Sequence, residues 1–333
     1  MEVLRSALGF NSKGIPRLAT HLSFLKSGRL PVTAAGASRG VQAPSNQMTV
    51  AHWVRAQKWP LLVTAFLVVL LYAVNFAKLS SDWWSDENYS HGFIVPAVFF
   101  WMLWQRREVL ANSRVSPRPW ALVIVILALV QLAAGTWGAE NFVAHTSLLV
   151  LLCGITLYLF GSEVLRVVAF PIAWLLFMIP VPAITLSAIT FPLQLLASRL
   201  ALGVLDVLHV PAVREGNVLY LANFTAGVAE ACSGIRSLIS MLAFAVLIGH
   251  LLSMSLRSRG ILAIAAVTVA LSMNAARVAG TGLVGNYLGA RWAEGFFHTF
   301  SGWLLLLGCL GMVLEVVYIL RVVERHGNAE RAS

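Results

Sequence analysis

A cysteine, an arginine and a histidine lie at the ends of neighbouring apolar segments in the last third of the chain. Cys232 occurs in Glu-Ala-Cys-Ser-Gly-Ile-Arg, four residues before Arg236. Arg277 ends an Asn-Ala-Ala-Arg run, and His298 begins His-Thr-Phe-Ser-Gly-Trp. The thiolate is the reactive form of cysteine, and a nearby cation or a helix N-terminus favours it. These residue types are therefore the parts of a thiol acyl-transfer site.

Each of the three residues has a chemical interpretation and a structural one. Arg277 either stabilises the oxyanion formed when a thiolate attacks a carbonyl, or forms an ion pair with Glu230 or Glu294. An unpaired guanidinium at that depth costs about 2.5 kcal/mol or more. His298 either exchanges protons with the thiol and a leaving amine near neutral pH, or hydrogen-bonds backbone at the membrane interface. Cys232 is otherwise a small packing residue.

Four further residues are candidates for supporting the site or binding substrate. Glu230 and Arg236 flank the cysteine, and Asn274 lies one helical turn before the arginine. His91, in a Tyr-Ser-His-Gly run of an earlier loop, competes with His298 as the proton carrier. The sequence does not decide between these two histidines.

The composition predicts a membrane protein. Hydrophobic residues make up 59% of the 333 positions and charged residues 11%, against about 25% charged in soluble domains. The net charge of +10 comes from short loops between apolar runs, a pattern that orients helices in membranes rather than one that binds nucleic acid. Cys153 and Cys309 lie inside apolar segments as packing residues. Since the cysteines show no metal-ligand spacing, no metal or cofactor is expected.

The apolar runs predict an all-α polytopic membrane protein with about eight transmembrane helices. A span needs about 20 apolar residues, or somewhat fewer within a bundle. Lys and Arg in alternate loops place both termini in the cytoplasm. The predicted spans are 60–78, 92–105, 119–135, 142–160, 164–181, 234–253, 260–281 and 300–320.

A ninth helix, predicted over 183–208, would reverse the downstream charge pattern if it crossed the membrane. We therefore predict an amphipathic or re-entrant helix on the outer face. Its polar face is formed by Ser187, Thr190, Gln194 and Ser198. A small extracytoplasmic hairpin is expected between residues 211 and 229.

This topology divides the chain into three parts. Residues 1–58 are expected to be a disordered basic cytoplasmic tail, residues 59–322 the transmembrane domain, and residues 323–333 a cytoplasmic C-terminal tail. Cys232, Arg277 and His298 all reach the outer membrane face in this arrangement. A shared cleft there is consistent with the predicted topology.

The cysteine motif, the Asn-Ala-Ala-Arg run, His298 and the Tyr-Ser-His-Gly loop together resemble the exosortase and archaeosortase family, over about residues 60–322. The resemblance implies a cysteine peptidase or transpeptidase of the bacterial inner membrane whose active site faces the periplasm. Cys232 would be its nucleophile, with Arg277 and His298 as partners and a thioester as the intermediate.

The resemblance also implies the partners of the enzyme. These are secreted proteins that carry a C-terminal sorting tag of three parts: a Pro-Glu-Pro-like motif, a transmembrane helix and a basic end. The acceptor would be water, or a polysaccharide or lipid of the envelope. Membrane lipids surround the protein.

Two other classes of function fit some of the same residues. An anion or small-solute transporter would use Arg236 and Arg277 to bind its cargo, although the two halves of the chain show no convincing repeat. A serine intramembrane protease would use Ser233-Gly234 or Ser301-Gly302. Dependence of activity on Cys232 separates both from the cysteine enzyme.

Overall fold

The computed structural model describes residues 48–227, 235–294 and 296–330. Within these ranges, some side chains are not described. They are those of Glu87, Glu294, Phe296, Phe297, His298, Thr299, Trp303, Arg325 and residues 327–330. The predicted site residues Glu230 and Cys232 lie outside the described residues, and His298 is described only as part of its helix.

The chain between residues 50 and 159 contains seven α-helices. They are α1 Val50–Ala56, α2 Lys58–Leu71, α3 Ala73–Ser85, α4 Ile94–Gln105, α5 Arg107–Asn112, α6 Leu122–Trp137 and α7 Asn141–Leu159. A 3₁₀ helix, Glu87–Phe93, joins α3 to α4, and another, Pro119–Ala121, leads into α6.

The described residues after residue 160 form six α-helices and a small sheet. The helices are α8 Ser162–Trp174, α9 Ala183–Val207, α10 Ile235–Leu251, α11 Leu256–Leu288, α12 Ala290–Glu294 and α13 Phe296–Glu330. A 3₁₀ helix, Leu175–Met178, follows α8. The strands are β1 Ala212–Glu215, β2 Val218–Leu221 and β3 Thr225–Gly227.

The predicted α-helical membrane fold is confirmed, but the predicted number of eight spans is not. Five helices of the described chain are long and apolar enough to cross a membrane, or six if the bent pair α1–α2 counts as one span. The difference arises because several predicted spans consist of short or interrupted helices. The first breaks at Tyr72, α4 has 12 residues, and α10 has 17.

Part of the predicted tail, residues 50–56, is helical rather than disordered. Helix α1 lies within the predicted tail, and the Val50 N–H donates to the Ser113 carbonyl over 3.0 Å. At the other end, α13 continues as a helix to Glu330. The remaining domain boundaries stay predictions.

Contacts gather the basic loops at one end of the bundle, which we call the basic end. The positive-inside pattern of Lys and Arg predicts this grouping of alternate loops. The joined pairs are Val115 N–H to Met48 carbonyl, Ser116 N–H to Phe160 carbonyl, Arg106 Nη2 to His250 Nε2, Arg321 Nη2 to Leu252 carbonyl, and Ser255 N–H to Glu324 Oε1.

Helix α9 begins and ends beside elements of the opposite end. Just before it starts, the Val181 N–H donates to the Tyr89 hydroxyl over 3.0 Å, and after it ends the chain enters the sheet. The sheet in turn packs near the C-terminus of α11, where Leu221 faces Gly282. These attachments favour the predicted outer location of α9, although its 25 residues are also long enough to cross a membrane. The location remains a prediction.

The polar face of α9 points into the protein. Thr190, Gln194 and Ser198 are buried, whereas Ile184 and Val207 are 87% and 78% exposed. Of the predicted polar face, Ser187 alone is exposed. This orientation has a physical reason, since hydrocarbon solvates an apolar face at no cost while buried polar groups need hydrogen bonds.

The predicted hairpin is present and has a third strand. The sheet is antiparallel in the order β1-β2-β3. Its buried face carries Leu219, Leu221 and Ala226, which pack with Val278 and Ala279 of α11. The sheet is thereby attached to the helix that bears Arg277.

Candidate active site

The candidate site lies where α10, α11 and α13 meet. These three helices contact one another, and the chain runs along them in alternating directions. One apolar cluster joins them below the site, towards the basic end. Its buried members are Met241, Ala245, Met254, Leu262, Ala266, Ala270, Cys309, Val313 and Val317.

The contact between α10 and α11 fixes the level at which α10 begins. A Cβ placed on Gly249 would lie 3.2 Å from the Arg259 side chain and 3.7 Å from that of Leu262. Both helices rise by about 1.5 Å per residue and run in opposite directions. Ile235 precedes Gly249 on α10 by the same number of residues by which residues 273–276 follow Arg259–Leu262 on α11. Ile235 is therefore level with residues 273–276. The start of α10 is therefore within about a turn of Arg277 along the helix axis.

The contact between α11 and α13 places the Arg277 guanidinium beside Gly302 of α13. A Cβ on Gly302 would lie 3.9 Å from Arg277 Nη2, and one on Gly308 would lie 2.9 Å from Met273 Cε. His298 is four residues before Gly302, a step of about 6 Å along the axis. Arg277 thus extends to the helix that carries His298, about one turn from it.

Buried polar residues accompany the guanidinium. Asn274 is buried one turn before Arg277, and Ser301 is buried on α13. The Nε atom of Arg277 is itself buried, and Arg236 is half-buried in the first turn of α10. Buried polar groups in a membrane protein are costly and mark functional or strongly structural positions.

Cys232 lies in the segment between two described elements at this junction. It follows β3, which ends at Gly227, and precedes α10, which begins at Ile235. Both flanking elements contact α11. The structure thus brings Arg277 to the helix of His298 and to the level at which α10 begins, and the side-chain geometry among Cys232, Arg277 and His298 stays a prediction.

His91 has a structural contact of its own, in a 3₁₀ helix that also contacts α10. Its Nε2 lies 3.1 Å from the Phe177 carbonyl, and since a carbonyl only accepts, Nε2 carries the proton. Trp83 Nε1 donates to the Met178 carbonyl over 2.8 Å. A Cβ on Gly92 would lie 2.4 Å from the Trp83 ring. The Tyr-Ser-His-Gly loop therefore fastens itself to residues 177–181, just before α9.

Burial lowers the pKa of His91 below its ordinary value, while backbone hydrogen bonds to Phe177 and Asn88 oppose the shift. A histidine with a depressed pKa stabilises the fold in its neutral form, so that stability is lost as the pH falls below about 6.5. Acid should therefore loosen the attachment of this loop.

We expect His91→Gln to retain stability at pH 7.5, because its amide N–H can replace the Nε2 proton donor to Phe177. The variant should also lose less stability than the wild type between pH 7.5 and pH 5.5. His91→Leu should be about 1 kcal/mol less stable than the wild type at pH 7.5, and this difference should shrink at pH 5.5, where the wild type itself loses stability. Thermal unfolding of the detergent-purified proteins measures these differences. A folded His91→Gln variant that no longer processes substrate would instead make His91 a proton carrier.

Two features of the structure were missed in the sequence. The first is His250, which stacks on Phe170 at 3.5 Å between ring centroids and lies 3.4 Å from Arg106 Nη2. The second is the position of Gly302 beside Arg277, since the sequence points to Gly302 only beside Ser301 as a serine site. A glycine one turn after a polar residue in an apolar helix could have signalled this helix contact.

Among the residues that the structure describes, no group of three His, Cys, Asp or Glu side chains could hold a metal ion. The described polar side chains at the helix junction are those of arginine, asparagine and serine.

The fold and the helix junction define a multi-pass membrane protein with buried polar residues where three helices meet. The model of the transmembrane exosortase family matches residues 83–315, and the chain belongs to this family. The match spans Cys232, Arg277 and His298. A search of the curated proteins and a search of the solved structures each found no match.

Membership of this family supports a membrane transpeptidase role in general. It also supports action on secreted proteins with sorting tags in general. The resemblance read from the cysteine, arginine and histidine motifs is thus confirmed at the level of the family.

Proposed function

We propose that this protein is a cysteine peptidase or transpeptidase that removes the C-terminal sorting tags of secreted proteins at the outer face of the bacterial inner membrane. The packing of the Arg277 guanidinium against Gly302 carries this proposal. It lies one turn from His298, at the level where α10 begins. Membership of the family supports the reaction class in general, and we propose that the reaction takes place at this junction.

In the proposed reaction, the Cys232 thiolate attacks a peptide carbonyl near the end of the tag. A carbon–sulfur bond forms, and the carbonyl electrons move to oxygen. When the tetrahedral intermediate collapses, the carbon–nitrogen bond breaks, and His298 gives a proton to the leaving amine. The remaining thioester is cleaved by water, or by an amine or hydroxyl of an envelope polysaccharide or lipid, which releases the thiol.

Arg277 would stabilise the negative oxygen of the tetrahedral intermediate. Its guanidinium lies beside Gly302 of α13, and its Nε atom is buried. A charge fixed in a low-dielectric site needs little reorganisation when the oxyanion forms, which makes it more effective than a solvated cation. Asn274 and Arg236 are proposed to support this charge and the thiolate, and Glu230 to contact substrate.

The three parts of the tag would lie along the enzyme from its outer face to its cytoplasmic side. A transmembrane helix of the substrate would lie in the bilayer beside the bundle, and its basic tail would stay on the cytoplasmic side by the same rule that orients this chain. The motif before the helix would then reach the outer face. Both termini of the enzyme are proposed to be cytoplasmic.

Thiol trapping tests the proposal. The Cys153→Ala, Cys309→Ala double variant keeps Cys232 as its single thiol, and Cys309 is 1% exposed in the wild type. Iodoacetamide should modify Cys232 in membranes and stop processing of a co-expressed reporter with a Pro-Glu-Pro-like tag. A tagged substrate should protect the thiol, and hydroxylamine should release a covalent substrate adduct. Inactivation by a fluorophosphonate but not by iodoacetamide would instead support a serine protease.

A further inference from the structure

Strand β3 has an edge with which no described strand pairs. The Leu221 N–H donates to the Phe224 carbonyl over 2.9 Å, which sets the phase of the β2–β3 ladder. In an antiparallel pair, alternate residues exchange hydrogen bonds with the partner strand. Leu219 and Ala226 therefore face each other as a bonded pair, given the register of the two strands. Thr225 and Gly227 direct their backbone N–H and C=O groups away from β2.

This edge is open in the part of the chain that the structure describes. Thr225 and Gly227 are both exposed, and a Cβ on Gly227 would have no described atom within 4 Å. Natural sheets usually protect an edge with charged residues, proline or a bulge. The Thr-Ala-Gly sequence of β3 contains none of these.

The opposite edge of the sheet is different. There, Ala212 and Arg214 of β1 direct their backbone groups outward, by the same alternation. Both residues are half-buried, and β1 packs on α9. The β1 edge is thus partly covered by protein, so the exposed edge of β3 is the better place for another strand to pair.

The sheet is held firmly at both of its turns. The Asn223 N–H donates to Asn286 Oδ1 of α11 over 2.9 Å, and the Phe224 ring fills the space beside Gly285, 2.3 Å from where a Cβ would lie. At the other turn, Asn217 Nδ2 donates to Gln194 Oε1 of α9 over 3.2 Å. A strand added to β3 would therefore pair with a template fixed to α9 and α11.

The edge also lies next to the proposed nucleophile along the chain. Strand β3 ends at Gly227, five residues before Cys232, which corresponds to at most about 17 Å of extended chain. A peptide must be extended to present one carbonyl to a thiolate, and each residue of an extended peptide exposes an N–H and a C=O. Proteins often satisfy these groups by adding the peptide to a sheet edge.

We propose that the free edge of β3 binds the extended peptide segment of the substrate next to its scissile bond, as an added strand. This inference rests on the proposed function, since the family acts on secreted proteins with sorting tags. The outward groups of Thr225 and Gly227 provide the hydrogen bonds. The backbone N–H and C=O groups of alternate peptide residues would point towards β3, and those of the residues between them would point away.

Proline variants of the edge test this proposal in the full-length protein. Thr225→Pro removes an N–H that the β2–β3 ladder does not use, so the sheet should be retained. The probe is a synthetic peptide with a Pro-Glu-Pro-like motif, an apolar helix and a basic end. We expect the KM for this peptide to rise about tenfold, as for the loss of one good hydrogen bond, with kcat within about twofold of the wild type. Ala212→Pro, on the β1 edge, is the matched control and should leave KM unchanged.

A scan of the substrate backbone gives a second measurement that uses the wild-type enzyme. N-methylation of successive residues before the scissile bond should raise KM at every second position and leave the intervening positions near the unmodified value. An equal KM for Thr225→Pro and Ala212→Pro together with a scan that lacks this period of two would overturn the proposal. A change from dimer to monomer in Thr225→Pro would also overturn it, because a second copy would then occupy the edge.

These outcomes are separate from a failure of the proposed function. Cys232→Ala tests the chemistry, whereas Thr225→Pro and the N-methyl scan test peptide binding. If Cys232→Ala processed the peptide normally but the N-methyl scan showed the period of two, the edge would bind the substrate, and a residue other than Cys232 would be the nucleophile. If Cys232→Ala were inactive and the period were absent, only the strand-addition proposal would fail.

Discussion

Cys232→Ala is expected to reduce processing of a tagged secreted protein by at least about 10⁴-fold. A methyl group cannot attack a carbonyl, and loss of the nucleophile from a covalent mechanism removes the whole catalytic path rather than one stabilising contact. The measurement is the ratio of tagged to processed reporter after co-expression, with enzyme amounts compared by immunoblot. In vitro, single-turnover cleavage of the synthetic tag peptide gives the rate.

Cys309→Ala is the matched control for loss of a thiol. Cys309 is buried in the cluster that joins α10, α11 and α13, well towards the basic end from Arg277. Its replacement removes one sulfur atom from the packing, which costs about 1 kcal/mol of stability and leaves the chemistry intact. Unchanged processing by Cys232→Ala, or an equal loss in Cys309→Ala, would show that Cys232 is not the nucleophile.

The grouping of the loops could be predicted from the sequence because charge controls it. Lys and Arg are costly to move across a bilayer, so a simple count of basic loops orders them. The structure joins Ser116 to Phe160 and Arg106 to His250 at a single end, as that count requires. The same reasoning predicts the outer side for α9, and its attachments to Tyr89 and to the sheet favour that prediction.

The orientation of α9 could not be predicted in the same way. A periodic row of Thr190, Gln194 and Ser198 identifies a distinct face, but it does not state whether water or protein lies against it. The sheet decides, because Asn217 and the Gly216 carbonyl offer partners to Gln194 and Ser198. Those partners are 18 to 23 residues distant in sequence, beyond the reach of helical periodicity.

The candidate site was predictable in its residue types but not in its contacts. Cysteine, arginine and histidine in three consecutive helical segments indicated the chemistry. The approach of α13 to α11 beside Arg277, however, depends on the missing side chain of Gly308, where a Cβ would lie 2.9 Å from Met273 Cε. Such helix–helix contacts depend on shape in three dimensions, and a hydrophobic pattern contains little of that information.

Arg277→Ala is expected to lower kcat by about 10²- to 10³-fold with little change in KM. These are the magnitudes found when one oxyanion-stabilising donor is removed, and an interaction made only in the transition state affects kcat rather than substrate binding. Arg277→Lys keeps the charge but loses the planar guanidinium that packs against Gly302, so it should recover only part of the rate. Cleavage of the synthetic tag peptide over a range of concentrations separates kcat from KM.

Arg199→Ala is the matched control, since Arg199 is an exposed arginine on α9 and no catalytic role is proposed for it. Folding of Arg277→Ala is verified in the single-thiol background, where iodoacetamide should still modify Cys232. A rise in KM at constant kcat would make Arg277 a binding group for an anionic part of the tag, and the oxyanion role would be wrong. A loss of activity that is accompanied by a large drop in the unfolding temperature would instead make Arg277 a structural residue that holds α11 against α13.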